Sequence, residues 1–148
     1  MKFLGSDALH DASENGEILI VRALLDNGAD INAEDGKYGY ALQAASAKGR
    51  GSVVQMLLER GADPNARGGK YGSALHAACA EHHAVIVQML LENGADISSG
   101  KNGNALEYAA RHGSISIVRM LLDNGADINA QGGTYGNALQ AAAANGHI

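Results

Sequence analysis

The sequence predicts an all-α solenoid: a stack of helix–turn–helix units joined by extended loops. Two observations carry this. The tripeptide Gly-Ala-Asp recurs at 28–30, 61–63, 94–96 and 125–127, each time behind a Leu-Leu pair, at spacings of 33, 33 and 31 residues. An Ala-Leu pair recurs at 8–9, 41–42, 74–75, 105–106 and 138–139, and the first four lie 20 residues before their Gly-Ala-Asp. A fixed period of this size marks a repeat architecture, in which units too small to bury an apolar face alone bury it against their neighbours. The short period lost its two residues between Asp96 and Ala105, in a loop, where stacked helices tolerate a deletion.

The units fall at about 7–39, 40–72, 73–103 and 104–136, with a partial unit at 137–148, and together make one domain. Residues 73–94 show the pattern. Ser73 can cap the first helix by accepting a backbone N–H, and Ala74, Leu75, Ala77 and Ala78 give it a small apolar face. Ile86-Val87 and Leu90-Leu91 form one stripe of the second helix, and Gly94 ends it in a left-handed conformation. Asp7, Asn104 and Asn137 are equivalent caps, with Tyr40 the exception. A glycine separates the helices at 16, 49, 113 and 146, but unit three has His82 there, which predicts strain or an altered turn. In unit one His10, Asp11, Ser13 and Glu14 give the first helix the polar outer face of a terminal unit. The chain stops at Ile148, where a second helix should begin. It therefore reads as a piece of a longer array, with an alanine face after Leu139 through which copies can associate weakly.

Composition narrows the function. A net charge of −5 argues against nucleic acid, and no apolar run approaches the ~18 residues of a membrane span. One cysteine, Cys79, rules out an intrachain disulfide framework and fits a reducing compartment. With no signal sequence or glycosylation sequon, the expected location is the cytoplasm, with the nucleus as the other choice.

The register Ala-Leu-x-x-Ala-Ala … Gly-x-x-x-Ile-Val-x-x-Leu-Leu-x-x-Gly-Ala-Asp-Ile-Asn-Ala resembles the ankyrin repeat over residues 7–148. It departs from that family's Thr-Pro-Leu-His at every first helix. A Gly-Gly-x-Tyr-Gly tip at 68–72 and 132–136 accompanies the departure, and this variant resembles arrays in filamentous-fungal proteins, including receptor-like ones with NACHT domains. The resemblance implies an ankyrin-repeat solenoid with short β-hairpin loops. It also implies a non-catalytic module that binds a protein or peptide on the concave face made by hairpin tips and first helices. Contacts then come from the tips (Lys37, Arg67, Lys70 and Lys101) and from the ends of first helices (Lys48, Glu81, Arg111 and His112). Lys37, Lys70 and Lys101 are equivalent positions and should form a basic row suited to an acidic stretch of partner. The rival reading is a spacer or scaffold segment of a larger, multidomain protein. Tyr38, Tyr71 and Tyr135 recur at one tip position, which suits packing between hairpins better than anchoring a ligand.

Motifs for chemistry are few. Gly-Lys at 36–37 and 100–101 lacks the Ser or Thr of a phosphate loop, and residues 30–41 lack the acid that closes a calcium loop. His76, Cys79, His82 and His83 have the donor types zinc prefers. Against that, Cys79 takes a slot held elsewhere by alanine or serine, and by the resemblance His76 and His83 sit where histidines serve hydrogen bonds within and between units. No enzyme, cofactor or metal is expected.

Overall fold

The computed structural model describes residues 4–98, 103–130 and 137–147, and nine helices among them. First helices are α1 (Leu4–Asn15), α3 (Ala41–Ala47), α5 (Ala74–Ala80), α7 (Ala105–Arg111) and α9 (Ala138–Ala144). Second helices are α2 (Ile18–Asp26), α4 (Gly51–Glu59), α6 (Ala84–Glu92) and α8 (Ile115–Asp123). The first four units each pair a first with a second helix (α1 with α2, α3 with α4, α5 with α6, α7 with α8), and each layer stacks in chain order: α1, α3, α5, α7 and α9, and α2, α4, α6 and α8. No described helix is long and apolar enough to cross a membrane.

The leucine of the first four Ala-Leu pairs fills the space between the layers, with Leu9, Leu42, Leu75 and Leu106 all buried, whereas Leu139 of α9 is 62% exposed. Leu57, Leu90 and Leu121 close the second helices from below. Fully burying one such side chain stabilises the fold by about 1.5–3 kcal/mol. The third residue of each second helix shows that this burial comes from the neighbour. Val53, Ile86 and Ile117 are at most 3% exposed, whereas their counterpart Ile20, with no unit before it among the described residues, is 46% exposed.

Ser73, Asn104 and Asn137 cap as expected, accepting from the N–H groups of His76, Glu107 and Gln140, while Tyr40 makes no side-chain cap. Two expectations need correction. Asp7 is not a cap: α1 runs back to Leu4 and holds Asp7 in its first turn. Nor is the polar side of unit one all outward. Asp11 is exposed, but His10 and Ser13 are buried against the next unit, where His10 Nε2 bonds the Gly39 carbonyl at 3.2 Å. The hairpins are minimal, each a single antiparallel bridge, Asp35 with Gly39 and Gly68 with Gly72.

The Gly-Ala-Asp element has a cross-unit purpose. Asp30 and Asp63 fold their loops by accepting from the N–H two residues on, at Asn32 and Asn65. Those asparagines then accept from the next unit: Asn32 from Asp63 N–H at 3.0 Å and Asn65 from Asp96 N–H at 2.7 Å. Ser98 replaces asparagine in unit three, and its hydroxyl donates back to Asp96.

His82 keeps the left-handed backbone of the glycines it replaces, with φ +64°. The residue before each second helix explains how it is tolerated. Arg50 Nε donates to the Glu14 carbonyl, and His83 and His147 use Nε2 on the Ala47 and Arg111 carbonyls. These side chains pass so close over Gly16, Gly49 and Gly113 that a Cβ there would meet them at 2.6–2.9 Å. At the fourth such position stands Ser114, which is short, and His82 reaches across to hydrogen-bond its hydroxyl through Nδ1. The two departures compensate each other. Ser114→His alone should therefore cost about 1–3 kcal/mol, as overfilling does, and His82→Gly added to it should recover most of that loss. A double-mutant cycle by chemical denaturation checks this, and a coupling near zero would show the positions to be independent.

Candidate functional site

The face made by the first helices and the hairpin tips is built on alanines. Ala44, Ala47 and Ala77 of α3 and α5 leave room for the ring of Tyr38, which is buried against them with Tyr71 at its edge. The two rings stack at 6.3 Å and 12°. A backbone bond from Lys70 N–H to the Lys37 carbonyl, 2.8 Å, ties the same tips together. Gly69 permits this approach, since a Cβ there would fall inside the Tyr38 carbonyl. The packing role expected for Tyr38 and Tyr71 holds, while Tyr135 lies outside the described residues.

These rings carry cations. Lys37 Nζ stands 5.0 Å from the centroid of Tyr38, and Lys70 Nζ 5.2 Å from that of Tyr71. Farther along, the Arg111 guanidinium lies 5.1 Å from the Tyr108 centroid. Tyr108 occupies a first-helix slot that is alanine at 44 and 77, and its edge packs on His76 at 4.6 Å. A positive charge over an aromatic face is held by the ring quadrupole, at about 0.5–1 kcal/mol where exposed. Sequence reasoning overlooked Tyr108, although a lone tyrosine in an alanine slot one helical turn before Arg111 was visible.

Of the residues named from sequence, Lys37, Lys70 and Arg111 each lie over a tyrosine ring, the two lysines at neighbouring tips and Arg111 in the last turn of α7. Arg67 is exposed beside Gly68. No carboxylate among the described residues lies within ion-pair distance of Lys37, Arg67 or Lys70. Glu81 is already engaged, accepting from the Tyr71 hydroxyl, and this contact adds to burial in pushing the Tyr71 phenol above its ordinary value. Lys48 stands 4.0 Å from Glu14. His112 lies at the rim, 6.1 Å from the Tyr108 ring, and burial, then the Arg111 charge, lowers its pKa. Lys101 lies outside the described residues.

A family model described as ankyrin repeats (3 copies) matches residues 2–68 and again 42–132. The chain belongs to the ankyrin-repeat family. The match is to ankyrin repeats at large and gives no support to a fungal, NACHT-associated branch. A search of curated proteins finds no match. Ankyrin repeats are in general modules for binding other proteins, and family membership gives no reason to expect catalysis.

The chain's reactive groups are committed to the ankyrin fold. Burial pushes the Cys79 thiol up to about 12, so it is protonated and unreactive at neutral pH. His76 donates from Nε2 to the Gly103 carbonyl at 2.9 Å and takes the Ser73 hydroxyl at Nδ1, 2.6 Å, which fixes the neutral Nε2–H tautomer. His83 bonds Ala47 and His82 bonds Ser114. Among the described residues no three His, Cys, Asp or Glu side chains are placed to hold a metal ion. At the far end, an apolar groove of about 300 Å³ runs between α8 and α9, lined by Leu106, Val118, Leu122, Ile128, Leu139 and Ala142. This is the surface through which the sequence anticipates weak association between copies.

Burial lowers the His76 pKa, the Arg67 and Arg111 charges add to that, and its bond to Gly103 opposes it. The unfolded chain therefore takes up this proton at a higher pH than the folded one. Stability carried by neutral His76 is complete above about pH 6.5 and is lost as pH falls from there through the lowered folded value. His76→Gln, which places at 76 the residue found at 43, should flatten the fall in urea midpoint between pH 6.5 and 5. An unchanged slope would show that His76 titrates alike in both states.

Proposed function

We propose that this ankyrin array binds an extended, acidic segment of another protein along its concave face and performs no chemistry. The observation that carries this is the row of cations seated on tyrosine rings, Lys37 on Tyr38, Lys70 on Tyr71 and Arg111 on Tyr108. In a chain of net charge −5, these charges stand where a partner would lie. Arg67 thickens the row. Lys101, equivalent in sequence to Lys37 and Lys70, extends it in this reading, and Lys48, Glu81 and His112 form its rim.

The spacing suggests the ligand's form. First helices stack roughly 8–10 Å apart, and an extended polyproline II chain makes one turn every three residues at about 3.1 Å per residue. Such a segment crossing the tips therefore presents every third side chain to successive units. Because both lysines rest on stacked rings joined by a backbone bond, little freedom is lost when an acid docks.

The test is a titration with a twelve-residue peptide bearing Glu at every third position, beside the same peptide with Gln there. Binding should be confined to the Glu peptide, weaken at least tenfold from 50 to 200 mM salt, and be lost in Lys37→Ala/Lys70→Ala. Equal binding of both peptides, or retention by the double variant, would sink the acidic-ligand reading. Affinity capture comparing the wild type with Lys48/Glu81/Arg111→Ala then tests the face itself. Identical lists would leave the array as a spacer that holds other parts of a longer protein apart.

A further inference from the structure

Asn-Gly is a reactive dipeptide, because glycine has no side chain to keep its main-chain nitrogen away from the asparagine carboxamide. It occurs in this chain at 15–16, 27–28, 93–94, 102–103, 124–125 and 145–146. Four of these share one context: Asn15, Asn27, Asn93 and Asn124 each follow an acidic residue, Glu14, Asp26, Glu92 and Asp123. All four asparagines are exposed, and each stands at the end of a helix before a glycine of positive φ. Sequence and exposure therefore do not separate them, and a difference in reactivity must come from the fold. Asn102 lies outside the described residues, and Asn145 follows an alanine.

The fold divides the four. At the ends of α2, α6 and α8 the carboxamide is tied down. Nδ2 of Asn27, Asn93 and Asn124 donates to the carbonyl one turn back, that of Ala23, Met89 and Met120, at 2.7, 2.8 and 2.7 Å. Asn15, which closes α1, has no side-chain hydrogen bond to any described residue. The nitrogen that would attack differs as well. Gly16 N–H lies 3.3 Å from the Ser13 carbonyl, against 3.1 Å for Gly28, Gly94 and Gly125 from theirs. A Cβ built on any of those three would meet nothing within 4 Å, whereas one on Gly16 would lie 3.3 Å from Arg50 Nε. A guanidinium beside an amide favours loss of the amide proton, and the deprotonated nitrogen is the nucleophile.

We propose that Asn15 is a site of self-modification, converted through a cyclic imide into aspartate and isoaspartate while Asn27, Asn93 and Asn124 persist. In the first step Gly16 N gives its proton to hydroxide and bonds to Asn15 Cγ. The Cγ–Nδ2 bond breaks, and Nδ2 leaves as ammonia with a proton from water. In the second step water adds to one of the two imide carbonyls and the bond from that carbon to Gly16 N breaks. Attack at Cγ returns an ordinary aspartate. Attack at the main-chain carbonyl leaves the chain running through Cγ, as isoaspartate. One water is consumed, one ammonia is released, and no oxidant or cofactor takes part.

The position gives the change a consequence. Asn15 is the counterpart of Lys48, Glu81 and His112 at the ends of first helices. The new carboxylate therefore joins that rim beside the Glu14–Lys48 pair. In the isoaspartate an added methylene also lengthens the turn at the Glu14 carbonyl, where Arg50 ties unit two to unit one.

The experiment incubates the full chain at pH 8 and 37 °C, folded and in urea, and follows each asparagine by peptide mass mapping. Isoaspartate is counted separately by its enzymatic methylation. In the folded chain Asn15 should be lost about tenfold faster than Asn27, Asn93 or Asn124, the factor that a hydrogen bond of about 1.4 kcal/mol confers. In urea the four rates should draw together, because their contexts match. Equal rates in the folded chain would overturn the proposal, and so would an Asn15 slower than the other three. A lead for Asn15 that persists undiminished in urea would overturn it too, since the sequence and not the turn would then be the cause.

Discussion

The structure depends on one constraint: no unit can satisfy its own main chain or bury its own face. Helices of seven to twelve residues are too short to hold their shape alone. Their loops also leave carbonyl groups that their own backbone does not reach. The neighbour supplies what is missing. His10, Gln43 and His76 donate to loop carbonyls, Arg50, His83 and His147 to the carbonyls that end first helices, and Asn32 and Asn65 accept from the next loop. Each bond contributes about 0.5–1.5 kcal/mol net, but leaving a buried group unpaired costs about 1–3. The period is therefore a record of which polar group must reach which neighbour, as well as where leucine must sit.

The same constraint shapes the binding face. Alanine at 44, 47 and 77 lets the tips fold down onto the first helices, and the tyrosines fill the space left over. The rings are taken up in packing, and Lys37 and Lys70 lie over them at the exposed tips. A choice between tyrosine as packing and tyrosine as contact is thus too narrow. In the proposed reading the rings are the floor and the cations above them the contact.

The repeat and both helices of each unit were legible in the sequence, because Ala-Leu and Leu-Leu mark positions that must be apolar in every copy. The seams were less so. Their bonds join residues about one period apart, and pairing them requires knowing which side of a helix faces the next unit. His82 read as a local blemish because its partner Ser114 lies 32 residues on. Asp7 read as a cap because its equivalents are caps, and that inference fails because α1 begins a turn earlier, at Leu4. Arg111 was legible as a candidate, but Tyr108 beneath it was not, since it occurs once and periodic reasoning looks for what recurs.

The exceptions to the pattern differ in kind, and the difference bears on how the array behaves. At His82 and Ser114 one departure makes room for the other, and both polar groups remain bonded. At Ser98 the lost asparagine is exposed, and its serine turns back on Asp96. Neither leaves a buried group unsatisfied. Glu107 is a departure of another kind: it is fully buried, and burial raises its pKa against the Arg111 charge and a backbone hydrogen bond from Asn104. The array thus absorbs each exception within the pair of units that meet there, and the register of the stack is kept.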